Sequence, residues 1–343
     1  MASEDLSTIA KSLVARGKGI LAADESFPTI EKRFATIGVE STEDNRRVYR
    51  KMLFTTTGFE EFISGVILFD ETIRQTSDDS TPLVEELTRR GVIPGIKVDL
   101  GARPLAGAAG EKITEGLDGL RDRLAEYHRL GARFTKWRAV ITIGAGIPSR
   151  RCIDANAEAL ARFAALSQEV GVVPIVEPEV LMDGDHTIQR CFEVTQETLG
   201  SVFERLAAHR VVLEDMLLKP NMVLAGKACP RQAGVDEVAE QTVKCFRRVV
   251  PAAVGGIVFL SGGQSNEKAT AHLNAMNALA ETHPWQLSFS YGRALQDPPL
   301  RTWAGKAANV RKAQEAFRHR ARLNGAARFG RYSEKMEKEF AVV

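Results

Sequence analysis

The 343-residue chain carries 46 Lys plus Arg against 44 Asp plus Glu, a net charge of +2. So small a basic excess argues against a dedicated nucleic-acid binder. Hydrophobic residues at 44% and charged residues at 26% exclude disorder as the dominant state. The apolar runs at 172–176 and 255–260 are strand-length, far short of the ~20 residues of a membrane-spanning helix.

In chain order, Ser3 reads as a helix cap, with Glu4 and Asp5 in the first turn. Leu6, Ile9, Ala10, Leu13 and Val14 then recur at helical spacing. No secretory or transit segment precedes them, so the mature protein is expected to start near residue 1 and to stay in the cytoplasm. Apolar runs at 19–23, 64–69, 93–98, 134–137, 172–176, 211–213, 255–260 and 287–291 read as eight strands. Their starts lie about forty residues apart, room for a strand, a helix and loops. Between them lie helical stripes such as Ile153, Ala157, Leu160, Ala161 and Ala164. Val235, Val238, Thr242, Cys245, Phe246 and Val249 make another, and Ala269, Leu273, Met276 and Ala280 a third. Strands apolar on both faces suit a parallel sheet covered by helices. The pattern predicts an α/β fold, a closed (β/α)8 TIM barrel in a single domain over residues 1–332, with a short tail at 333–343. An open doubly wound sheet would show a Gly-rich nucleotide turn after the first strand, and Asp24-Glu25-Ser26 stands there instead.

Catalytic groups of such barrels sit at the C-terminal ends of the strands. Here those ends carry Asp24, then Lys97 and Asp99, then Lys136 and Arg138, then Glu177 and Glu179. The sixth strand leads through Glu214 and Asp215 to Lys219. The seventh runs into Ser261-Gly262-Gly263 and the eighth into Tyr291-Gly292-Arg293. Charges buried at a barrel mouth must be paired or useful. The lysines and arginines suit an anionic substrate. The Gly262-Gly263 turn and the Arg293 fork suit a phosphate after the last two strands.

A lysine there can also be a nucleophile. At its ordinary pKa of about 10.4 only about one in 2,500 is neutral at pH 7. Desolvation and a neighbouring cation favour the neutral amine, and Lys136 across the barrel from Lys219 supplies such a cation. Spacing alone does not choose among Lys97, Lys136 and Lys219. Metal chemistry is not expected: the six histidines form no H-x-H or H-E-x-x-H pair, and His186 reads as a loop residue. The four cysteines form no Cys-x-x-Cys pair, which suits a reducing compartment.

The stretch from Gly17 to Ser26 resembles the first-strand motif of class I fructose-1,6-bisphosphate aldolases. So do Gly95-Ile96-Lys97-Val98-Asp99, Lys136-Trp137-Arg138 and Val173-Pro174-Ile175-Val176-Glu177-Pro178-Glu179. Leu218-Lys219-Pro220-Asn221, Leu260-Ser261-Gly262-Gly263 and Ser290-Tyr291-Gly292-Arg293 follow in the same order. The resemblance spans residues 3 to 332. It implies a Schiff-base lyase of glycolysis and gluconeogenesis, without cofactor or metal, and a cytoplasmic homotetramer. Fructose 1,6-bisphosphate would yield dihydroxyacetone phosphate and glyceraldehyde 3-phosphate. By resemblance, Lys219 condenses with the substrate carbonyl and Glu177 handles dehydration. Asp24 works with the C4 hydroxyl, Lys136 assists proton transfers, and Glu179 belongs to the same network. Ser261, Gly262, Ser290, Gly292 and Arg293 match one phosphate site. Ser26, Thr29, Arg33, Lys97 and Arg138 match positions toward the other end of the substrate, with Arg46 a further match. A related lyase for sedoheptulose 1,7-bisphosphate and a protein-binding scaffold are the alternative readings. The chain departs from the family at Phe27-Pro28, where animal homologues carry Thr-Gly, and in a tail without the terminal tyrosine.

Overall fold

A computed structural model describes residues 5–280 and 282–339. Ser3, Glu4 and the tail from Phe340 lie outside them. The first helix, α1 (Leu6–Leu13), is capped by Asp5, which accepts from the Ser7 amide. Then come β1 (Gly19–Ala22), α2 (Phe27–Ala35), α3 (Glu43–Phe54), β2 (Ile63–Leu68), α4 (Asp70–Arg74), α5 (Leu83–Thr88) and β3 (Ile93–Lys97). A hairpin, β4 (Ala102–Pro104) and β5 (Lys112–Thr114), precedes α6 (Leu120–Arg129), β6 (Phe134–Ile141), α7 (Arg150–Val170) and β7 (Val173–Val180). The second half runs α8 (Ile188–Ala208), β8 (Leu217–Leu218), α9 (Val235–Val249), β9 (Ile257–Phe259), α10 (Asn266–Ala278) and β10 (Leu287–Tyr291). The chain finishes with α11 (Arg293–Trp303), α12 (Val310–Ala327) and α13 (Lys335–Lys338).

The strands close in the order β1-β10-β9-β8-β7-β6-β3-β2, every pair parallel. The expected barrel is therefore the observed one. Its outer core is the layer between strands and helices, where Val66, Trp137, Val176 and Phe259 meet Leu53, Leu160 and Phe246. Among the described residues no helix is long and apolar enough to cross a membrane.

The N-terminal end of the barrel is plugged. Ile9, Ala10, Leu13 and Val14 of α1 and its cap pack on Ile20, Phe134, Val173, Ile175, Leu217 and Val258. Glycines make the room. A Cβ on Gly95 would lie 2.3 Å from the Phe134 ring, and one on Gly256 would lie 2.8 Å from Val14. This plug leaves the opposite end as the open mouth. The sixth barrel strand corrects the sequence reading. Residues 211–213 are not a strand; Leu213–Asp215 is a 3-10 turn, and the sixth barrel strand is Leu217–Leu218. Two residues are too few to show a period of two. The shift brings Lys219 directly to the strand end, where its amide donates to Val176 O at 2.8 Å.

Candidate active site

Register puts the charges on two successive levels of the mouth. Lys97 on β3 pairs with Lys136 on β6, and Arg138 on β6 pairs with Glu177 on β7. Like charges side by side are costly, and carboxylates from the neighbouring strand ends offset them. Asp99 reaches both lysines, at 2.7 Å from Lys97 Nζ and 3.9 Å from Lys136 Nζ. Asp24, at the end of β1, lies 2.7 Å from Lys136 Nζ. Glu177 is the bridge: one carboxylate oxygen is 3.5 Å from Lys136 Nζ and the other 3.4 Å from Lys219 Nζ. Lys136, Glu177 and Lys219 are only 3%, 3% and 4% exposed, so this charge network lies out of bulk water.

Burial opposes the ionisation of Asp24, but Lys136, Lys219 and Lys97 outweigh it and hold its carboxyl well below the ordinary value. Burial likewise opposes the charge on Lys136, and Asp24, Glu177 and Asp99 outweigh it and push its pKa up. Lys136 is thus a fixed cation with three carboxylates around it, while among the described residues Lys219 makes one ion pair within 4 Å, with Glu177. Glu179 sits higher on β7 and accepts from Arg138 Nε. Among the described residues its ion pair is with Arg138 and with neither lysine.

Two of the expected substrate positions are engaged by carboxylates of the protein. Arg33, expected toward the far end of the substrate, lies beside Gly292: its Nη2 is 3.4 Å from where a Gly292 Cβ would stand. The reason is that β1 pairs with β10, so α2 leaves the mouth next to the β10 turn. Glu25 holds Arg33 at 2.6 Å, and Gln296 Nε2 donates to both Glu25 Oε1 and Ala22 O. Arg46 is occupied by Glu71 and the Ser41 carbonyl, with its guanidinium 4.8 Å over the exposed Phe27 ring. Ser26 and Thr29 face each other at 3.2 Å at the start of α2.

At the other rim, Gly262 and Gly263 adopt positive φ of 56° and 84°. They turn the chain from Ser261 into α10, whose Ser265 cap accepts from Lys268 N. Arg293 Nη2 approaches Gly263, and the buried Ser290 hydroxyl has no protein hydrogen-bond partner among the described residues. An orphaned donor on β10, the strand paired with the β9 that leads into the glycine turn, suits an anion's oxygens. Tyr332 lies elsewhere. Its hydroxyl donates to Glu337, its amide to Asn274, and with Asn274 it lines a cavity of about 420 Å3 that none of Asp24, Lys136, Glu177, Lys219 and Arg293 lines. Among the described residues no cluster of three or more His, Cys, Asp or Glu side chains is arranged to hold a metal. Sequence reasoning missed Gln296 and the anchoring role of Glu25; the four-residue step from Gly292 to Gln296 was the available signal.

A closed parallel barrel with its ionisable groups gathered at one mouth is the layout of a barrel enzyme. A family model for class-I fructose-bisphosphate aldolase matches residues 5–342. A probable fructose-bisphosphate aldolase class 1 of Xanthomonas axonopodis pv. citri is 57% identical over 333 residues, covering 97% of this chain and 99% of that one. The cytosolic fructose-bisphosphate aldolase 6 of Arabidopsis thaliana is 56% identical over 316 residues, covering 92% and 88%. A solved Plasmodium falciparum fructose-bisphosphate aldolase, crystallised with TRAP and an inhibitor, superposes with a TM-score of 0.94 at 50% identity, covering 96% and 95%. The chain belongs to the class-I fructose-bisphosphate aldolases.

Proposed function

We propose that the mouth cleaves fructose 1,6-bisphosphate through an imine on Lys219. The family membership supplies the overall reaction, an aldol cleavage to dihydroxyacetone phosphate and glyceraldehyde 3-phosphate in glycolysis and its reverse in gluconeogenesis. The observation that carries the residue roles is Glu177 held between Lys136 and Lys219 in a buried mouth.

In this reading the Lys219 amine adds to the C2 carbonyl to give a carbinolamine. Glu177, on the same nitrogen's side, donates the proton that lets water leave. The resulting iminium is an electron sink at C2. Asp24, held ionised by the lysines, takes the C4 hydroxyl proton as the C3–C4 bond breaks. The electron pair of that bond moves into the C2–C3 enamine, and the aldehyde product leaves. Protonation at C3 and addition of water then return free Lys219 and dihydroxyacetone phosphate. Lys136 stays charged through these steps and supplies the field that Asp24 and Glu177 work in. Glu179 positions Arg138.

One phosphate is read at Ser261, Gly262, Ser290, Gly292 and Arg293, with Arg33 beside it. Lys97, Arg138, Ser26 and Thr29 face the rest of the substrate, and Arg46 braces the rim. We read the protein as a cytoplasmic homotetramer, with 1–332 as the barrel unit and 333–343 as an appended tail. The test is cleavage of a ketose panel in the presence of chelator. Fructose 1,6-bisphosphate should be the best substrate by kcat/KM; a clear preference for sedoheptulose 1,7-bisphosphate would contradict this.

A further inference from the structure

We propose that Lys227 is a second cation of the phosphate subsite at Gly262, Gly263 and Arg293, held in waiting by Asp183. The inference rests on the reading of that turn as a phosphate site. Lys227 Nζ lies 3.1 Å, and Arg293 Nη2 3.2 Å, from the point where a Cβ on Gly263 would stand. The two cations therefore flank one glycine, from two different loops. A side chain at that glycine would crowd both, and its φ of 84° disfavours one independently.

Lys227 is not a free surface lysine. Its loop, between β8 and α9, is stitched to the β7–α8 loop by three backbone bonds. Gly226 N donates to His186 O at 2.8 Å, Lys227 N to Met182 O at 2.8 Å, and Ala228 N to Gly184 O at 2.9 Å. A Cβ on Gly226 would stand 2.3 Å from Gly184 O, so the stitch also fixes the approach of the two loops. Backbone placement thus aims the side chain at Gly263.

The ammonium donates to Asp183 Oδ1 at 2.9 Å. Both side chains are about half exposed, at 48% and 65%, and an exposed pair of this kind is weak. A phosphate carries close to two negative charges and three acceptor oxygens, more than a single carboxylate offers. When an anion settles against Gly263 and Arg293, Lys227 exchanges Asp183 for it. The predicted motions are small: a rotamer change of one lysine, with no loop movement. Asp183 is a positioning residue here, and it also repels the incoming anion.

Inorganic phosphate as a competitive inhibitor of fructose 1,6-bisphosphate cleavage is the probe. Lys227→Met should raise the phosphate inhibition constant and the substrate KM about 5-fold, with a smaller change in kcat, as loss of a half-exposed charge contact implies. Lys227→Arg should restore most of it. Asp183→Asn should lower both constants, because it frees the ammonium and removes the competing anion. Unchanged phosphate inhibition in Lys227→Met overturns the proposal. Arg293→Ala, measured alongside, separates the two ways this can happen. If Arg293→Ala weakens phosphate and Lys227→Met does not, the subsite stands and Lys227 has no part in it. If neither does, the phosphate is not at this turn and the inference falls with that reading.

Discussion

Lys136 is surrounded on three sides by Asp24, Asp99 and Glu177, and this sets what each neighbour can do. Removing the cation leaves buried carboxylates uncompensated, each then easier to protonate. Lys136→Met is expected to destabilise the fold by about 3 kcal/mol or more. It should also lower kcat/KM by about 100-fold and move the acid limb of its pH profile to higher pH. Denaturant titration and a pH–rate series check both parts. An unmoved acid limb would remove Lys136 from control of Asp24 and Glu177. At this scale much was legible in the sequence. Ionisable groups at successive strand ends marked the mouth before any contact was known, and the family resemblance then singled out Asp24, Lys136, Glu177 and Lys219 among them. The approach of Arg33 to Gly292 was not legible, because position along the chain does not tell which neighbouring strand end a helix leans toward.

The β1–α2 turn and the start of α11 are one unit, joined through Gln296. Its amide donates to Ala22 O and Glu25 Oε1, Tyr49 donates to its Oε1 at 3.2 Å, and Arg50 donates to Glu25 O at 2.8 Å. Gln296 and Tyr49 are each 1% exposed, so losing one bond leaves a buried polar group unpaired. Gln296→Leu should loosen Glu25 and with it Arg33, raising KM for the bisphosphate several-fold while kcat falls less. Gln296→Glu should be worse, since it adds an anion against Glu25. Steady-state kinetics decide; equal losses in kcat with no change in KM would mean Arg33 was not the element being held.

At the opposite end, Leu13 is fully buried in the plug. Leu13→Ala should cost about 2–5 kcal/mol by cavity formation. Its KM should match the parent's, because the plug lies at the far end of the barrel from the mouth. Urea unfolding with kinetics on the folded fraction tests this pairing. The strand that carries Lys219 was the poorly read element. Val211, Val212 and Leu213 look β-like, but the chain there makes a 3-10 turn, and only Leu217 and Leu218 join the sheet. Their bonds come from long-range register with β7 and β9, which no local pattern encodes.

For the whole molecule, the site and the scaffold respond to different pH ranges. Asp24 is lowered from 3.8, so its contribution is complete above that value and is lost as acid takes its folded-state pKa. Lys136 is raised from 10.5, so its contribution is complete below that value and is lost as pH climbs through its folded-state pKa. Between them the charge network holds steady. The scaffold does not, because burial lowers His272 from 6.5 to about 4. The unfolded chain takes up that proton first, so stability at His272 is full above 6.5 and drains away between 6.5 and 4, by about 3 kcal/mol at most. His272 donates through Nδ1 to Gln264 Oε1, so His272→Gln should flatten part of this slope. Only part is expected to flatten, since burial also lowers His128, His186, His283 and His319. Denaturant midpoints at pH 7 and pH 4.5 measure it. The barrel itself was legible because strand-to-strand spacing repeats along the chain. The plug, the loop stitches and the meeting of Lys227 with Arg293 were not, because they join segments far apart in sequence.

The account turns on which lysine forms the imine. The decisive measurement is borohydride reduction of the enzyme with dihydroxyacetone phosphate, followed by peptide mapping of the adduct. Lys219 should carry the label, Lys219→Ala should neither be trapped nor cleave fructose 1,6-bisphosphate, and Lys136→Met should still be labelled at Lys219. A label on Lys97 or Lys136, with Lys219→Ala still active, would contradict the mechanism.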